Sequence, residues 1–372
     1  MGRRQGAVEG LGAMTFEDSY CDRRVLLTGH TGFKGSWLAL WLQRLGARIT
    51  GMALPPATTP NHWDLLGADI DERRLDIRNA DAVFRAVRET RPEIVFHLAA
   101  QPLVRRSYDD PLETWSTNVL GTANLLEGCR QTPGVRAIVV VTTDKCYDNC
   151  SKVWGYREED RLGGHDPYSA SKAGAELVAA SYRDAFFCAP GAPLLATARA
   201  GNVIGGGDWS EDRLVPDLVR AIERNQPLEI RYPKATRPWQ HVLEPLGGYL
   251  LLGQMLLQGK SDFASAWNFG PGTEGNRTVG EVLEQLRSYW PALTWCVSPQ
   301  PQPHEAALLH LDSTKARQHL GWQPVWNFAD SLRNAAEWYY AFLECGTVRS
   351  AEQLDQYQSA VAAAGAAGCR AA

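Results

Sequence analysis

Apolar residues along this chain fall into short unbroken runs that alternate with amphipathic stretches. "RVLLT" (24–28) is followed by a helical pattern from about Gly35 to Leu45. The alternation continues through "ARITGMAL" (47–54), "AVFRAVRET" (82–90), "EIVFHLAA" (93–100), "TWSTNVLGTANLLEGCR" (114–130), "RAIVVVTT" (136–143), "YSASKAGAELVAASYRDAF" (168–186) and "LLATARAGNV" (194–203). Strands that are apolar on both faces and spaced by helices predict a parallel sheet shielded on both sides by crossover helices. The fold class that follows is α/β, a doubly wound parallel sheet. After about Val203 the pattern loosens, with Gly, Pro and Trp crowding "VIGGGDW", "RYPKATRPWQHV" and "WNFGPGTEGN". That part is expected to be a second, smaller lobe closing over the carboxyl edge of the sheet. The expected division is a loose extension over 1–21, a dinucleotide-binding domain over 22–202, and a substrate lobe over 203–345, with part of 239–270 returning to the first domain. Residues 346–372 are expected to be a C-terminal tail, whose Ala/Gly-rich final stretch "SAVAAAGAAGCRAA" (359–372) frays.

The chain's 372 residues are enough for two such lobes, and its net charge of -4 changes the picture by exclusion. Acidic and basic residues nearly cancel, 42 against 38, and no Lys/Arg block stands out beyond "GRRQG", which argues against nucleic acid or a membrane surface as main partner. Eight cysteines are scattered without paired CxxC spacing, so neither a secreted disulfide framework nor a metal site is expected. No apolar window reaches the ~18 residues of a membrane span. A cytoplasmic protein is the expectation.

Chemistry enters at "GHTGFKGSW". A strand, then Gly29, Gly32 and Gly35 at every third position, then a helix, is the context of a dinucleotide-binding turn: amides at the helix start point at a pyrophosphate. Thr31 and Phe33 belong to the same loop. The acidic residue that would read the adenosine ribose at the end of the second strand is missing, since Met52, Ala53 and Leu54 stand there. No residue there marks NAD or NADP; Asp76 in "LDIRN" could face the adenine end. "YSASK" puts Tyr168 and Lys172 four apart at a helix start, on one face, where an ammonium beside a phenol lowers the phenol's pKa and makes it a usable base. Thr143, at the end of the strand "AIVVVTT", can hold the same substrate oxygen.

Taken together, "TGHTGFKG", "VFHLAAQ", "NVLGT", "VTTDKCY", "YSASK", "GNVIGGGDW" and "RPWQHV" resemble the extended short-chain dehydrogenase/reductase family over roughly residues 22 to 345. The resemblance implies a Rossmann NAD(P)-binding domain with a small nucleotide-sugar domain, NAD as cofactor, and a homodimer paired through the "NVLGTANLL" and Tyr168 helices. It places Thr143, Tyr168 and Lys172 at the catalytic positions, and Gly29, Thr31, Gly32, Phe33, Gly35, Asp76, Ile77, Ala99 and Ala100, together with Tyr168 and Lys172 again, along the cofactor. Nucleotide-sugar 4,6-dehydratases of this family carry Asp-Glu after the threonine, whereas this chain has Asp144-Lys145, similar to the branch acting on CDP-glucose to make deoxysugar precursors of cell-surface polysaccharides. By that resemblance Asp144 is the acid that helps the C6 hydroxyl leave, and Lys145 stands where the C5 base sits. A lysine base must lose several units from a free pKa of roughly 10.4, while Asp144 must stay protonated beside it. The competing role for a charged Lys145 is stabilising the enolate.

On the substrate side, Arg213 and Arg237 suit a second pyrophosphate, the resemblance supports Arg237 and Asn202, and Gln101, His241 and Asn268 are further candidates. Trp209 or Trp239 could stack on a base. That the base is cytosine rests on the resemblance alone. Two rival readings remain open: a nucleotide-sugar 4-epimerase, which has no use for an acid at C6, and a catalytically silent NAD(P) sensor, which typically lacks the Tyr or Lys found here.

Overall fold

The protein is represented by a computed structural model that describes residue 16 and residues 18–291, 293–299 and 308–371. Seven parallel strands form the central sheet: β1 (Arg24–Thr28), β2 (Arg48–Ala53), β3 (Asp71–Arg74), β4 (Ile94–His97), β5 (Ala137–Val141), β6 (Leu194–Ala200) and, much later in the chain, Ala266–Phe269. In the order β3-β2-β1-β4-β5-β6 and then that late strand, the order in which strands are added reverses between β1 and β4, with Thr28 level with both Met52 and His97. A crevice opens at such a reversal, outside the carboxyl ends of the strands. β4 and β5 are buried along their whole lengths, as their unbroken apolar runs require.

The helices on the two faces are α1 (Phe33–Arg44), α2 (His62–Leu66), α3 (Ala80–Thr90), α4 (Val104–Asp109), α5 (Pro111–Trp115), α6 (Gly121–Arg130) and α7 (Pro167–Ala185), with one π turn joining α5 to α6. The α1 pattern starts two residues before the expected Gly35. On the opposite side to α3 and α6 lies α9 (Leu243–Leu257), buried at every position. It delivers the chain back to the sheet at the late strand. The small lobe contributes α8 (Leu214–Glu223), which precedes α9, then α10 (Val279–Arg287) and α11 (Phe328–Cys345), besides three two-stranded ribbons.

Part of each expected loose end packs into the core. Residues 1–15 and 17 lie outside the described residues, but Phe16 and Tyr20 are core residues, and the Tyr20 hydroxyl donates to the Leu250 carbonyl at 2.5 Å. At the other end, α12 (Ser350–Ala371) is a helix whose Leu354, Tyr357 and Val361 are buried. Their i, i+3, i+7 spacing makes one apolar stripe, which the surrounding alanines masked in composition.

Candidate active site

A cleft of about 1200 Å³ runs along the carboxyl ends of the strands, between the sheet and the small lobe. One end is the glycine loop. Gly29 has a φ of +76°, and a side chain there would strike the Ala99 backbone at the end of β4. At Gly35 a Cβ would lie 2.0 Å from the Gly29 carbonyl, so the loop closes only without one. No side chain caps α1 at Gly32, and Gly29, Thr31, Gly32, Phe33 and Gly35 line the cleft. Asp76, Ile77, Ala99 and Ala100 line the same stretch. Asp76 clamps Arg78 through two contacts, 2.8 and 2.5 Å, and that hydrogen bonding holds its carboxyl below the usual range.

The middle of the cleft is formed by the end of β5 and the start of α7. Asp166 caps α7, Pro167 fills its first position, and Tyr168 and Lys172 follow on one face. Thr143, Lys145, Tyr168 and Lys172 all line the cleft. Burial raises the Tyr168 phenol to about 12, opposed by its hydrogen bond with Thr143 and by the Arg213 charge. This corrects the expectation that Lys172 does the lowering: its ammonium donates to the Val141 carbonyl at 3.2 Å, and burial pulls it down to about 8.

The turn after Thr143 is a single 3-10 turn, Asp144–Cys146, in which Thr143 Oγ1 accepts from the Lys145 amide at 3.3 Å and donates to Asp144 Oδ1 at 3.0 Å. Asp144 Oδ2 is buried and has no hydrogen-bond partner among the described residues. Burial pushes this carboxyl up, against Lys145, Thr143, Arg237 and Lys34, all of which favour its ionised form. Gly201 leaves the room for it, since a Cβ there would lie 2.8 Å from Oδ2. Lys145 is half-buried at the cleft wall.

Of the expected substrate residues, Asn202, Arg213 and Arg237 line the cleft, Arg213 paired with Asp208 at 3.2 Å. Of the rest, Asn268 and His241 are corrected by their surroundings. Gln101 touches the cleft, but its amide is spent on the Leu103 carbonyl and Thr114 Oγ1. Asn268 is fully buried, bonded to Tyr147, Tyr156 and Asp312, and His241 is packed edge-on against Trp37 and Trp326. Neither lines the cleft. Trp209 sits in the aromatic cluster of Trp338, Tyr339 and Phe342, whereas Trp239 reaches the cleft with its indole N–H bonded to the Arg277 carbonyl.

Lys34 was missed, although it stands inside the quoted glycine motif. It lines the cleft, its Nζ lies 3.5 Å from the Tyr249 hydroxyl, and burial, with Arg213 and Lys172 nearby, lowers it to about 7. Arg105 and Arg231 were missed as well; both line the cleft and meet Asp212 at its mouth, at 2.9 and 3.5 Å.

Residues 25–263 match the model of the NAD dependent epimerase/dehydratase family. The chain belongs to that family. Family membership makes NAD its cofactor. The glycine cradle fits that group: a loop that any Cβ at Gly29 or Gly35 would block, with uncapped helix amides, is a site for a pyrophosphate. Among relatives in the family, the chain is 46% identical to the CDP-glucose 4,6-dehydratase of Salmonella typhimurium, over 91% of this chain and 97% of that protein. Two solved structures are similar in fold and sequence. One is the NAD-bound UDP-glucose 4-epimerase of Thermus thermophilus, with a TM-score of 0.74 and 26% identity over 85% of this chain and 98% of that one. The other is an NAD-dependent NDP-hexosamine 5,6-dehydratase of tunicamycin biosynthesis, with a TM-score of 0.71 and 26% identity over 86% and 98%. Among the described residues, no helix is long and apolar enough to cross a membrane.

Proposed function

We propose that this chain converts CDP-glucose to CDP-4-keto-6-deoxyglucose and water as an NAD-dependent 4,6-dehydratase, a cytoplasmic step that supplies deoxysugar precursors. The observation that carries the reading is the Asp144-Lys145 turn: a buried carboxyl that burial keeps toward its protonated form, beside an amine on the cleft wall, in a chain close to a CDP-glucose 4,6-dehydratase. An epimerase has no leaving hydroxyl for such a carboxyl to protonate.

NAD held along the glycine loop of Gly29, Gly32 and Gly35 would supply a hydride acceptor for C4 and a hydride donor for C6. Thr143 and Tyr168 hold the C4 oxygen, and Tyr168 removes its proton as the ketone forms. A phenol held at about 12 by burial needs a cation nearby to ionise: Arg213 already lowers it, and Lys172, one turn along α7, is the second cation of this reading. The C4 ketone acidifies the C5 proton, which Lys145 removes. Asp144 gives its proton to the departing C6 oxygen, so water leaves and a C5–C6 double bond remains; as the hydride adds at C6, the Lys145 ammonium, exchanged with solvent, returns a proton to C5. Arg237 and Arg213 neutralise the substrate's pyrophosphate, and Asn202 borders the sugar.

The same reading includes a homodimer. Leu112, Trp115 and Leu120 on the α5 to α6 segment and Leu177 on α7 are exposed apolar side chains, and the two segments are in contact where Trp115 approaches Gly174. A sedimentation mass near a single chain would rule this out.

The deciding experiment is incubation with CDP-glucose and NAD in deuterated water. The expected product is a 4-keto sugar carrying deuterium at C5. Recovery of a C4 epimer without C5 label would replace the dehydratase reading with the epimerase one.

A further inference from the structure

Beneath the catalytic turn lies an ion pair that does not line the cleft. Arg199 on β6 and Glu176 on α7 meet at 2.8 Å with side chains only 4% and 3% exposed. Glu176 also accepts from Thr197 Oγ1 at 2.7 Å and from Thr142 Oγ1. Arg199 donates in addition to the Tyr147 hydroxyl at 2.8 Å and the Glu158 carbonyl at 3.0 Å, and Tyr147 donates to Asn268 Oδ1 at 2.7 Å. Thr142 immediately precedes Thr143, and Tyr147 immediately follows the turn Asp144–Cys146, so the network holds that turn from both ends. Glu176 is also one helical turn beyond Lys172.

We propose that Glu176 is a positioning residue: its buried carboxylate anchors the turn bearing Thr143, Asp144 and Lys145, and is the counter-charge that keeps Lys172 an ammonium behind Tyr168. This rests on the roles given above to Lys172 and Tyr168. Burial pulls Lys172 down, and Glu176 pushes hardest against that, followed by Cys146 in the turn. The other groups facing Lys172 are Lys34 on α1, whose charge opposes it, and His97 on β4, which burial holds neutral with a pKa of about 3; Arg199 stands behind Glu176. Glu176 stays ionised at this depth because Arg199 and the two threonine hydroxyls offset its burial.

Removing the carboxylate charge therefore makes Lys172 lose its proton at lower pH, and the alkaline limb of kcat moves down with it. In full-length Glu176→Gln with NAD and CDP-glucose, the expected shift is about one pH unit, whereas Glu176→Asp, which keeps the charge, restores the limb. A folded Glu176→Gln enzyme whose limb is unmoved overturns the proposal, however far kcat itself falls. If that variant does not fold, Glu176→Gln with Arg199→Gln removes both charges, and an unmoved limb there has the same force. ¹⁵N-lysine NMR, with Lys172→Arg assigning the resonance, reads the Lys172 titration without substrate. An unchanged titration in the variant refutes the inference, while wild-type inactivity on CDP-glucose counts only against the proposed function.

Discussion

Two carboxyls flank the end of β5 at the same depth and are put to opposite use. Asp144, between the cleft-lining Thr143 and Lys145 but not itself on the cleft wall, is 1% exposed and has one hydroxyl donating to one of its oxygens, the other being left without a partner among the described residues. Glu176, behind the strand, is 3% exposed and receives an arginine and two threonine hydroxyls. Burial raises the first, while its donors hold the second below the usual carboxylate range despite equal burial. Depth alone therefore sets neither group's charge; the number and charge of the donors do. The turn keeps an acid by leaving it poorly solvated, and the rear keeps an anion by saturating it.

The largest effect that would break this contrast is on turnover. Asp144→Asn removes the proton donor, and Lys145→Met the base, and each is expected to lower kcat by about 10³-fold or more. A single-turnover trace should still show the reduced cofactor absorbing in Asp144→Asn, since oxidation at C4 does not use that proton. Undiminished water loss in Lys145→Met would leave the C5 base to be found elsewhere.

Next is stability at the rear. Arg199→Met strands Glu176 without its cation and is expected to cost about 3–5 kcal/mol, read by calorimetry or denaturant unfolding. The pH dependence has a defined sign. Because the folded-state pKa of Glu176 is depressed, its contribution is present above the ordinary carboxylate range and is lost as pH falls through the native value. The gap between wild type and Arg199→Met should therefore close in acid.

A smaller effect is expected at the substrate end. Arg237→Ala removes a guanidinium from the pyrophosphate and should raise KM by about 10- to 100-fold, with kcat less affected, in steady-state assays.

The smallest prediction sharpens the contrast most. Asp144 has a raised pKa in the folded chain, so unfolding is favoured as pH rises through the carboxylate range. Asp144→Asn should thus melt about 1–2 °C higher than wild type at neutral pH, with no gain in strong acid. The inactive variant would then be the more stable one, the opposite of Arg199→Met.

Much of the sheet was legible because its strands are buried on both faces, so "EIVFHLAA" and "RAIVVVTT" carry the signal in every residue. Tyr168 and Lys172 were legible through helical geometry, and Gly29 through the turn it must make. The misreadings share one cause. Asn268 and His241 are polar residues near glycine- or proline-rich loops, and nothing local distinguishes a polar group waiting for substrate from one already bonded within the fold. Lys34 went unnoticed for the converse reason, as an ordinary lysine in sequence that burial turns into a group near neutrality.

By itself the sequence determined the doubly wound sheet, the glycine cradle and the order of the groups Thr143, Asp144, Lys145, Tyr168 and Lys172, because each follows from periodicity or from spacing within a single element. Only the tertiary structure decided which charges they carry and what surrounds them. It set Glu176 beside Arg199, left Asp144 Oδ2 without a donor among the described residues and folded Phe16, Tyr20 and the stripe of α12 into the core. Those outcomes depend on desolvation and on partners brought from distant parts of the chain, which no local pattern encodes.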